Sequence, residues 1–347
     1  MSKDIERDSG EFVSLVKALY KHALRRQPGA DELKFWTKRC TEASNLADVI
    51  ESVFSSKEYM ARFWHQKLPY QPGHFYSPVV VPSSLDPKLF KLYRNIEPGH
   101  LLGLDLNFAK MREFWLSLVP ALNLYPFPEK KTETSRYFWK NGVYEFGDSA
   151  ILFSILDKLK PKNIIEIGSG FSSACMLQTA EFFNLPTTFT FIDPNPQRLY
   201  GLLRPDDHAR CKIIPRPVQT IELRVFEKLE TNDILFIDSS HVSKTGSDVN
   251  FEIFEVLPRI KPGVFIHFHD CFYPFEYPVD WIFNRKISWN ELYVLRAFLM
   301  YNEAFDVKYF NDAFVLKERN LLQTGIAKPI LDNLMHNPGG GLWLKRR

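Results

Sequence analysis

The sequence has little cysteine and no long apolar run. Its 347 residues include four cysteines, and none of them forms a C-x-x-C pair. This spacing indicates neither a disulfide framework nor a zinc knuckle. No apolar run approaches the ~18 residues that a membrane span needs, and the first residues, MSKDIERDSGE, lack the apolar core of a secretory signal. We therefore expect a reduced, cytoplasmic protein without a membrane partner.

The chain also lacks an excess of charge of one sign. It has 44 Lys and Arg against 41 Asp and Glu, for a net charge of +3. This small balance argues against a nucleic-acid or membrane-surface partner. The length suggests about two domains, and 45% apolar residues are enough to bury a sizeable core.

The N-terminal part is predicted to be a small all-α bundle over residues 1–66. Apolar residues from Phe12 to Leu24 recur at helical spacing, and a further helix is expected from about Asp31. The strings LYKHALRRQPGADELKFW and VFSSKEY resemble a small helical domain related to phycobilisome-linker repeats. That resemblance implies packing or protein docking through these helices and no chemistry of its own.

A segment rich in proline and aromatic residues, 67–149, is expected to act as a linker and cap before a third segment, 150–347. From Ala150 onward, short apolar strands alternate with helices. The strands are expected at 163–167, 188–192, 212–214, 233–237 and 264–268, with the last near 307–310 and 313–316. Such alternation predicts an α/β fold, with a Rossmann-like, doubly wound, mostly parallel sheet.

The strongest motif is IIEIGSGFSS at 164–173, which places Glu166, Gly168 and Gly170 between a strand and a helix. Glycines there let the backbone approach a ligand, and the free N–H groups at the helix start face it. Asp193 ends the next strand and can accept hydrogen bonds from ribose hydroxyls. Because the third glycine of G-x-G-x-x-G is missing and an acid precedes the first, the pattern favours S-adenosylmethionine over NAD.

Taken with FIDPNP, ILFIDSSHVSKTGSDV and HFHDCFYPFEYP, the motif resembles the class I S-adenosylmethionine-dependent methyltransferases. Within that class, residues 75–316 are most similar to a bacterial family near the catechol O-methyltransferases and the macrolide- or cephalosporin-pathway enzymes. The resemblance implies contacts to the methionine moiety, to its carboxylate and to the ribose. The implied cofactor-binding residues are Glu166, Gly168, Ser169, Gly170, Ser172, Ser173 and Asp193.

A second group of polar residues follows the fourth and fifth predicted strands. Asp238, His269 and Asp270 should meet at the carboxyl edge of a parallel sheet. In the resembled enzymes these positions hold a divalent ion, which would act here as a Lewis acid on a substrate hydroxyl. His269 replaces the usual carboxylate, so Mn, Fe or Zn would suit the site better than Mg. An Asp–His hydrogen-bonded pair without metal is the alternative.

Two histidines are candidates for the general base. His241 follows Asp238 by three residues, and His267 precedes His269 on the same strand face. Either could instead be a packed histidine of the core or of a loop. The aromatic strip 271–278, with Trp281, is either a substrate wall or a rigid cover.

These observations predict an O-methyltransferase for a small-molecule or glycan acceptor. Two alternatives stay open at this point. One is a non-catalytic binding or scaffold protein that keeps the fold, and the other is a metal-dependent oxidation on the same fold.

Overall fold

A computed structural model of the chain describes residues 9–42, 46–54, 56–62, 70, 72–86, 88, 90 and 95–347. The chain divides into two compact units, one ending at Val79 and the other beginning at Val80. This division falls within the segment that the sequence indicated as a linker and cap. Among the described residues, no helix has the length and apolar character needed to cross a membrane.

The first unit contains the expected helices. They are α1 (Ser9–Leu19), which continues as a π-helical turn (Tyr20–Leu24), α2 (Ala30–Glu42), α3 (Leu46–Phe54) and α4 (Lys57–Arg62). Phe12, Val16 and Tyr20 form the buried stripe that the spacing predicted. The end of the expected bundle, residues 63–66, lies outside the described residues.

The second unit is built on a seven-stranded sheet in the order β3-β2-β1-β4-β5-β7-β6. The strands are β1 (Asn163–Ile167), β2 (Thr188–Ile192), β3 (Cys211–Ile214), β4 (Ile234–Ile237), β5 (Phe265–Phe268), β6 (Phe305–Phe310) and β7 (Leu342–Arg346). The first five strands run parallel, whereas β7 runs antiparallel to β5 and to β6. The expected mostly parallel α/β sheet is therefore confirmed.

Ten α-helices are described in this unit. They are α5 (Phe108–Leu122), α6 (Phe146–Leu159), α7 (Phe171–Phe182), α8 (Gln197–Tyr200), α9 (Asp248–Phe251), α10 (Val279–Phe283), α11 (Glu291–Leu299), α12 (Asn311–Lys317), α13 (Arg319–Leu322) and α14 (Lys328–His336). Helix α6 is buried along almost its whole length, between α5 and α7. Its sequence, FGDSAILFSILDKL, is apolar on nearly every face, as expected of a fully covered helix.

The end of the chain differs from the sequence-based expectation. The run Ala313–Leu316 was expected as a strand but lies in helix α12, and the last strand is β7. A four-residue apolar run does not distinguish a strand from one turn of a buried helix. Strand β7 follows three glycines, 339–341, and inserts between β5 and β6.

The sheet order reverses between β1 and β4, which are neighbours although two strands separate them in sequence. The connections after these strands leave in opposite directions, which opens a crevice at the carboxyl edge. The loops that carry the predicted site residues all begin at this edge.

Candidate active site

The main cavity, of about 700 Å³, opens at this reversal point. One end, the β1–β2 end, carries Gly168, Ser169 and Asp193, and the other, the β4–β5 end, carries Asp238, His241 and Asp270. The remaining lining residues are Val143, Ile167, Ile192, Pro194, Arg198, Pro217, Val218, Gln219, Ser239, Ser240, Asp248 and Trp289. The sequence therefore anticipated six residues that the fold brings to one cavity.

Two glycines shape the turn after β1. Gly168 has φ +79°, and a Cβ placed on it would lie 1.8 Å from the carbonyl oxygen of Asp238. A Cβ on Gly170 would lie 2.9 Å from Cδ of Arg198. A side chain at Gly168 would therefore push apart the loops after β1 and β4, at the centre of the crevice.

The Asp193 carboxylate is held in place by the same turn. Its Oδ2 accepts hydrogen bonds from the backbone N–H (3.0 Å) and hydroxyl (2.8 Å) of Ser169, and its Oδ1 accepts one from the N–H of Asn195 (2.7 Å). A carboxylate offers about four acceptor sites, so Asp193 keeps capacity for one further donor from the cavity.

Glu166, Ser172 and Ser173 lie behind the turn. Both serine hydroxyls donate to the Glu166 carboxyl, and the Ser173 hydroxyl also accepts from the N–H of Gly170 at 3.0 Å. Burial raises the pKa of Glu166 to about 8, despite the opposing hydrogen bonds from the two serines. Among the described residues that line the cavity, neither these three nor Gly170 occurs. In this structure their polar groups hydrogen-bond to one another within the turn, and their contacts to a ligand stay a prediction.

At the β4–β5 end, three charged side chains face one another. Nε2 of His241 lies 3.4 Å from Oδ1 of Asp238 and 3.6 Å from Oδ2 of Asp270. Both His241 (φ +59°) and Asp270 (φ +53°) have left-handed backbones. Non-glycine residues rarely adopt this conformation, and those that do concentrate at functional sites.

The charges at this end shift one another's pKa values. Burial alone would raise the pKa of Asp238, but His269 and His241 outweigh it and lower the value to about 2. Burial likewise opposes the charged form of His241, but the two carboxylates that face its ring, Asp238 and Glu291, raise its pKa well above the usual range. The end is thus a compact group of opposite charges.

Glu291, at the start of α11, was not anticipated. Its Oε2 lies 2.8 Å from Nδ1 of His241, and its own backbone N–H donates to the His241 carbonyl oxygen at 3.2 Å. The ring of Trp289 packs on the imidazole, with a centroid separation of 4.4 Å. No local sequence pattern links Glu291 to a histidine 50 residues earlier, so this pair is identified from the folded structure.

The structure corrects the placement of His267. It is 1% exposed, and its ring packs between Phe236 and Trp343 at centroid separations of 4.1 and 4.4 Å. Burial lowers its pKa well below the usual range. The expectation of a general base fails here, because a side chain so enclosed is not accessible to a substrate proton.

His269 lines a second cavity together with Asp270 and is not among the described residues that line the main one. Its Nε2 is 3.5 Å from Oδ1 of Asp270, and its ring packs on Tyr144 at a centroid separation of 5.1 Å. The three described side chains whose ligand atoms all lie within 4.8 Å of one another are Asp238, His241 and Asp270. The predicted metal set therefore keeps its two carboxylates, but the histidine beside them in the main cavity is His241.

A second cavity, of about 460 Å³, adjoins the first. Val143 and Asp270 line both cavities. Phe272, Pro278 and Trp281 form an apolar part of its wall, whereas Tyr273, Phe275 and Tyr277 of the same strip are buried in the core. Only part of the aromatic strip therefore faces a space that a substrate could enter.

Parts of the chain are similar to known proteins. A family model described as "Methyltransferase domain" matches residues 165–271. An uncharacterized protein of Archaeoglobus fulgidus is 30% identical over 184 residues, which are 51% of this chain and 82% of that protein. The matched region runs from within β1 to the residue after Asp270, so it contains Gly168, Ser169, Asp193, Asp238, His241 and Asp270. Val143 and Trp289 of the cavity lining, and His241's partner Glu291, lie outside it.

Two solved structures show weaker likenesses. The SAH-bound Podospora anserina methyltransferase PaMTH1 is 15% identical, with a TM-score of 0.36 over 69% of this chain and 88% of that one. The O-methyltransferase from Bacillus cereus in complex with SAH is 13% identical, with a TM-score of 0.35 over 69% and 91%. Likenesses this distant do not bear on substrate.

Proposed function

Residues 165–271 form a methyltransferase domain, and on that premise we propose that the chain is a class I S-adenosylmethionine-dependent enzyme that methylates a hydroxyl oxygen of a small molecule or sugar. S-Adenosylmethionine supplies a methyl group on a positively charged sulfur. The observation that carries the proposal is that one cavity contains both the Asp193 turn and the Asp238–His241–Asp270 group. A cofactor site and an oxygen-activating site are thereby joined.

The β1–β2 end fits the cofactor. Asp193 has its carboxylate oriented by Ser169 and keeps acceptor capacity for a ribose hydroxyl. Arg198, on the same wall, offers a guanidinium to the methionine carboxylate, the role first assigned to Ser172 and Ser173. The acidic side chains of the cavity favour a ligand that carries an ammonium and a sulfonium.

The second cavity is where we place the acceptor. It touches the main cavity at Asp270 and Val143, so a hydroxyl that enters from this side reaches the carboxylates at the β4–β5 end. The rings of Phe272 and Trp281 pack edge to face at 5.2 Å and offer an apolar surface. Holding the cofactor and the acceptor beside each other in fixed positions supplies much of the rate acceleration.

The β4–β5 end fits proton removal from the acceptor hydroxyl. Asp270 presents its carboxylate at the junction of the two cavities, where it can accept that proton, and Asp238 lies beside it in the main cavity. Two carboxylates and an imidazole in contact are also a donor set for a divalent ion. When bound, such an ion would lower the pKa of the hydroxyl and orient its oxygen.

The cofactor part is tested by calorimetry with S-adenosylhomocysteine. Asp193→Ala should weaken binding about 10- to 100-fold, because hydrogen bonds to a charged group contribute about 1.5–3 kcal/mol. Asp206→Ala, which removes an exposed carboxyl outside the main cavity, serves as the control and should bind as the wild type does. Equal affinity in all three proteins would refute the assignment of Asp193.

The transfer part is tested with S-adenosylmethionine labelled in its methyl group and a panel of hydroxylated acceptors, including monosaccharides. Label should appear in an alkali-stable methyl ether. Tight cofactor binding with label found only in amine or thiol acceptors would overturn the proposal of O-methylation and leave the cofactor assignment standing.

A further inference from the structure

We infer that the ion at the β4–β5 end is held by His241 together with Asp238 and Asp270, and that this imidazole makes the site prefer Zn²⁺ or Fe²⁺ to Mg²⁺. The inference rests on the proposed function for the presence of an ion and adds the ligand and the selectivity. It replaces His269, which the sequence suggested, by a histidine in the main cavity.

The separations between the donor atoms support this set. The distances from Nε2 of His241 to the two carboxylates, 3.4 and 3.6 Å, exceed the roughly 2.7–3.2 Å of an ordinary N–H···O hydrogen bond. Bonds of about 2.0–2.2 Å to a first-row ion would place neighbouring ligand atoms about 3–3.5 Å apart. The three side chains form ion pairs in the structure, and the same separations match those of ligands around a common ion.

The environment of His241 fixes where Nε2 points. Glu291 binds Nδ1 at 2.8 Å, Trp289 packs on the ring, and the backbone carbonyl of His241 accepts from the N–H groups of Asn290 and Glu291 at 3.1 and 3.2 Å. A carboxylate on one ring nitrogen orients the imidazole and leaves the other nitrogen for a metal. Glu291 is thus a positioning residue for the ligand His241.

His269 does not meet the same conditions. It lines the second cavity and is absent from the described lining of the main one. Its Nε2 approaches Oδ1 of Asp270, whereas His241 approaches Oδ2. The two histidines therefore approach different oxygens of one carboxylate, and of the two only His241 lines a cavity together with Asp238.

A nitrogen ligand has a consequence for metal choice. Mg²⁺ prefers oxygen ligands and keeps several waters, whereas imidazole suits Zn²⁺ and Fe²⁺. We expect the metal-stripped protein to bind Zn²⁺ at least 100-fold more tightly than Mg²⁺ in calorimetry. A protein that binds the two ions within threefold of each other would contradict the preference.

The ligand itself is identified by pulsed EPR of the full-length protein loaded with Mn²⁺. Wild type should show coupling to an imidazole nitrogen, His241→Ala should lose it, and the matched variant His269→Ala should keep it. Glu291→Gln should keep the coupling and weaken Zn²⁺ binding about 10- to 100-fold. Loss of the coupling in His269→Ala but not in His241→Ala would overturn the inference.

Two measurements separate failure of the inference from other causes. Affinity for S-adenosylhomocysteine in each variant reports whether the protein is folded and whether the proposed cofactor site is intact. If His241→Ala does not fold, the His269→Ala variant can be labelled with ¹⁵N at its histidines. A nitrogen coupling that persists in this folded variant shows that a histidine other than His269 binds the ion. Wild-type protein that binds S-adenosylhomocysteine but none of these ions would refute the ion site alone.

Discussion

At the β1–β2 end of the main cavity, Asp193 is hydrogen-bonded by the turn beside it, whereas at the β4–β5 end Nε2 of His241 faces two carboxylates at the longer distances of ion pairs. Ser169 donates twice to Asp193 at 2.8 and 3.0 Å. His241 and Asp270, by contrast, stand 3.6 Å apart. The carboxylate at the first end is therefore fixed in position with room for one further donor, and the second end concentrates charge.

The two ends of the main cavity are therefore built in different ways. At the β1–β2 end, glycine and short hydrogen bonds fix the backbone, so substitutions there act through shape. At the β4–β5 end, carboxylates and an imidazole concentrate charge, so substitutions there act through electrostatics and ion binding. Variants at the two ends should therefore separate cofactor affinity from transfer.

The largest effect is expected for Gly168→Ala. Its Cβ would lie 1.8 Å from the Asp238 carbonyl oxygen, at a φ of +79°, so the loops after β1 and β4 must move apart. Overpacking and left-handed strain together cost about 2–5 kcal/mol. We expect Tm to fall by about 5–15 °C and S-adenosylhomocysteine affinity to fall more than about 100-fold.

Gly246→Ala provides the matched control for this change. Gly246 has nearly the same φ, +75°, but nothing lies within 4 Å of its added Cβ. Only the backbone strain of about 1–2 kcal/mol remains, so its Tm should fall by a few degrees and its cofactor affinity should stay near wild type. Equal losses in the two variants would show that strain, not the clash between loops, governs Gly168.

At the opposite end, Asp238→Asn should abolish transfer and spare the cofactor. The amide keeps the shape of the side chain but removes the charge that faces His241. With an acceptor from the labelling screen, turnover should fall at least about 100-fold while S-adenosylhomocysteine affinity changes less than about threefold. Parallel loss of both properties would mean that the two ends are not separable.

The sequence predicted correctly the features that depend on residues close to one another in the chain. The motif at 164–173 follows directly on β1, Asp193 follows β2, and Asp238 and Asp270 follow β4 and β5. Because parallel strands bring their carboxyl ends to one edge, the order of strands and loops along the chain is enough to group these positions. Five of the expected strands and the α/β class follow from the same alternation.

The sequence did not predict the surroundings of side chains that depend on contacts between distant segments of the chain. His267 was expected to be accessible because strand β7 was not anticipated, and in the sheet Trp343 of β7 lies directly opposite His267. Glu291, which hydrogen-bonds His241 in the fold, was not anticipated, because a partner 50 residues away leaves no trace in local spacing. Such side-chain directions are determined by tertiary packing rather than by sequence pattern.

The buried Glu166, behind the turn at the β1–β2 end, should make the stability of the protein depend on pH. The pKa of Glu166 is about 8 in the fold against an ordinary 4.5, so folding favours its protonated form. Its contribution to stability is fully present below pH 4.5 and is lost as the pH rises through about 8. In metal-stripped protein, the Tm of wild type should fall over this range by several degrees more than that of Glu166→Gln.

Glu113→Gln, on the exposed face of α5, is the control for this experiment and should follow the wild-type curve. A Glu166→Gln variant whose Tm falls with pH as steeply as that of wild type would contradict the buried, protonated state of Glu166.

The smallest effect is expected for Ser169→Ala, and it tests the comparison most finely. The substitution removes the hydroxyl bond to Asp193 but keeps the backbone bond to the same oxygen. One hydrogen bond to a charged group is worth about 1.5–3 kcal/mol at most, and the retained N–H should reduce the loss of S-adenosylhomocysteine affinity to about 3- to 10-fold. Ser240→Ala removes an equivalent hydroxyl bond, to Asp248 at the β4–β5 end, and should leave that affinity near wild type. If Ser240→Ala lost as much, cofactor binding would depend on both ends, and the division between a shape-determined and a charge-determined end would not hold.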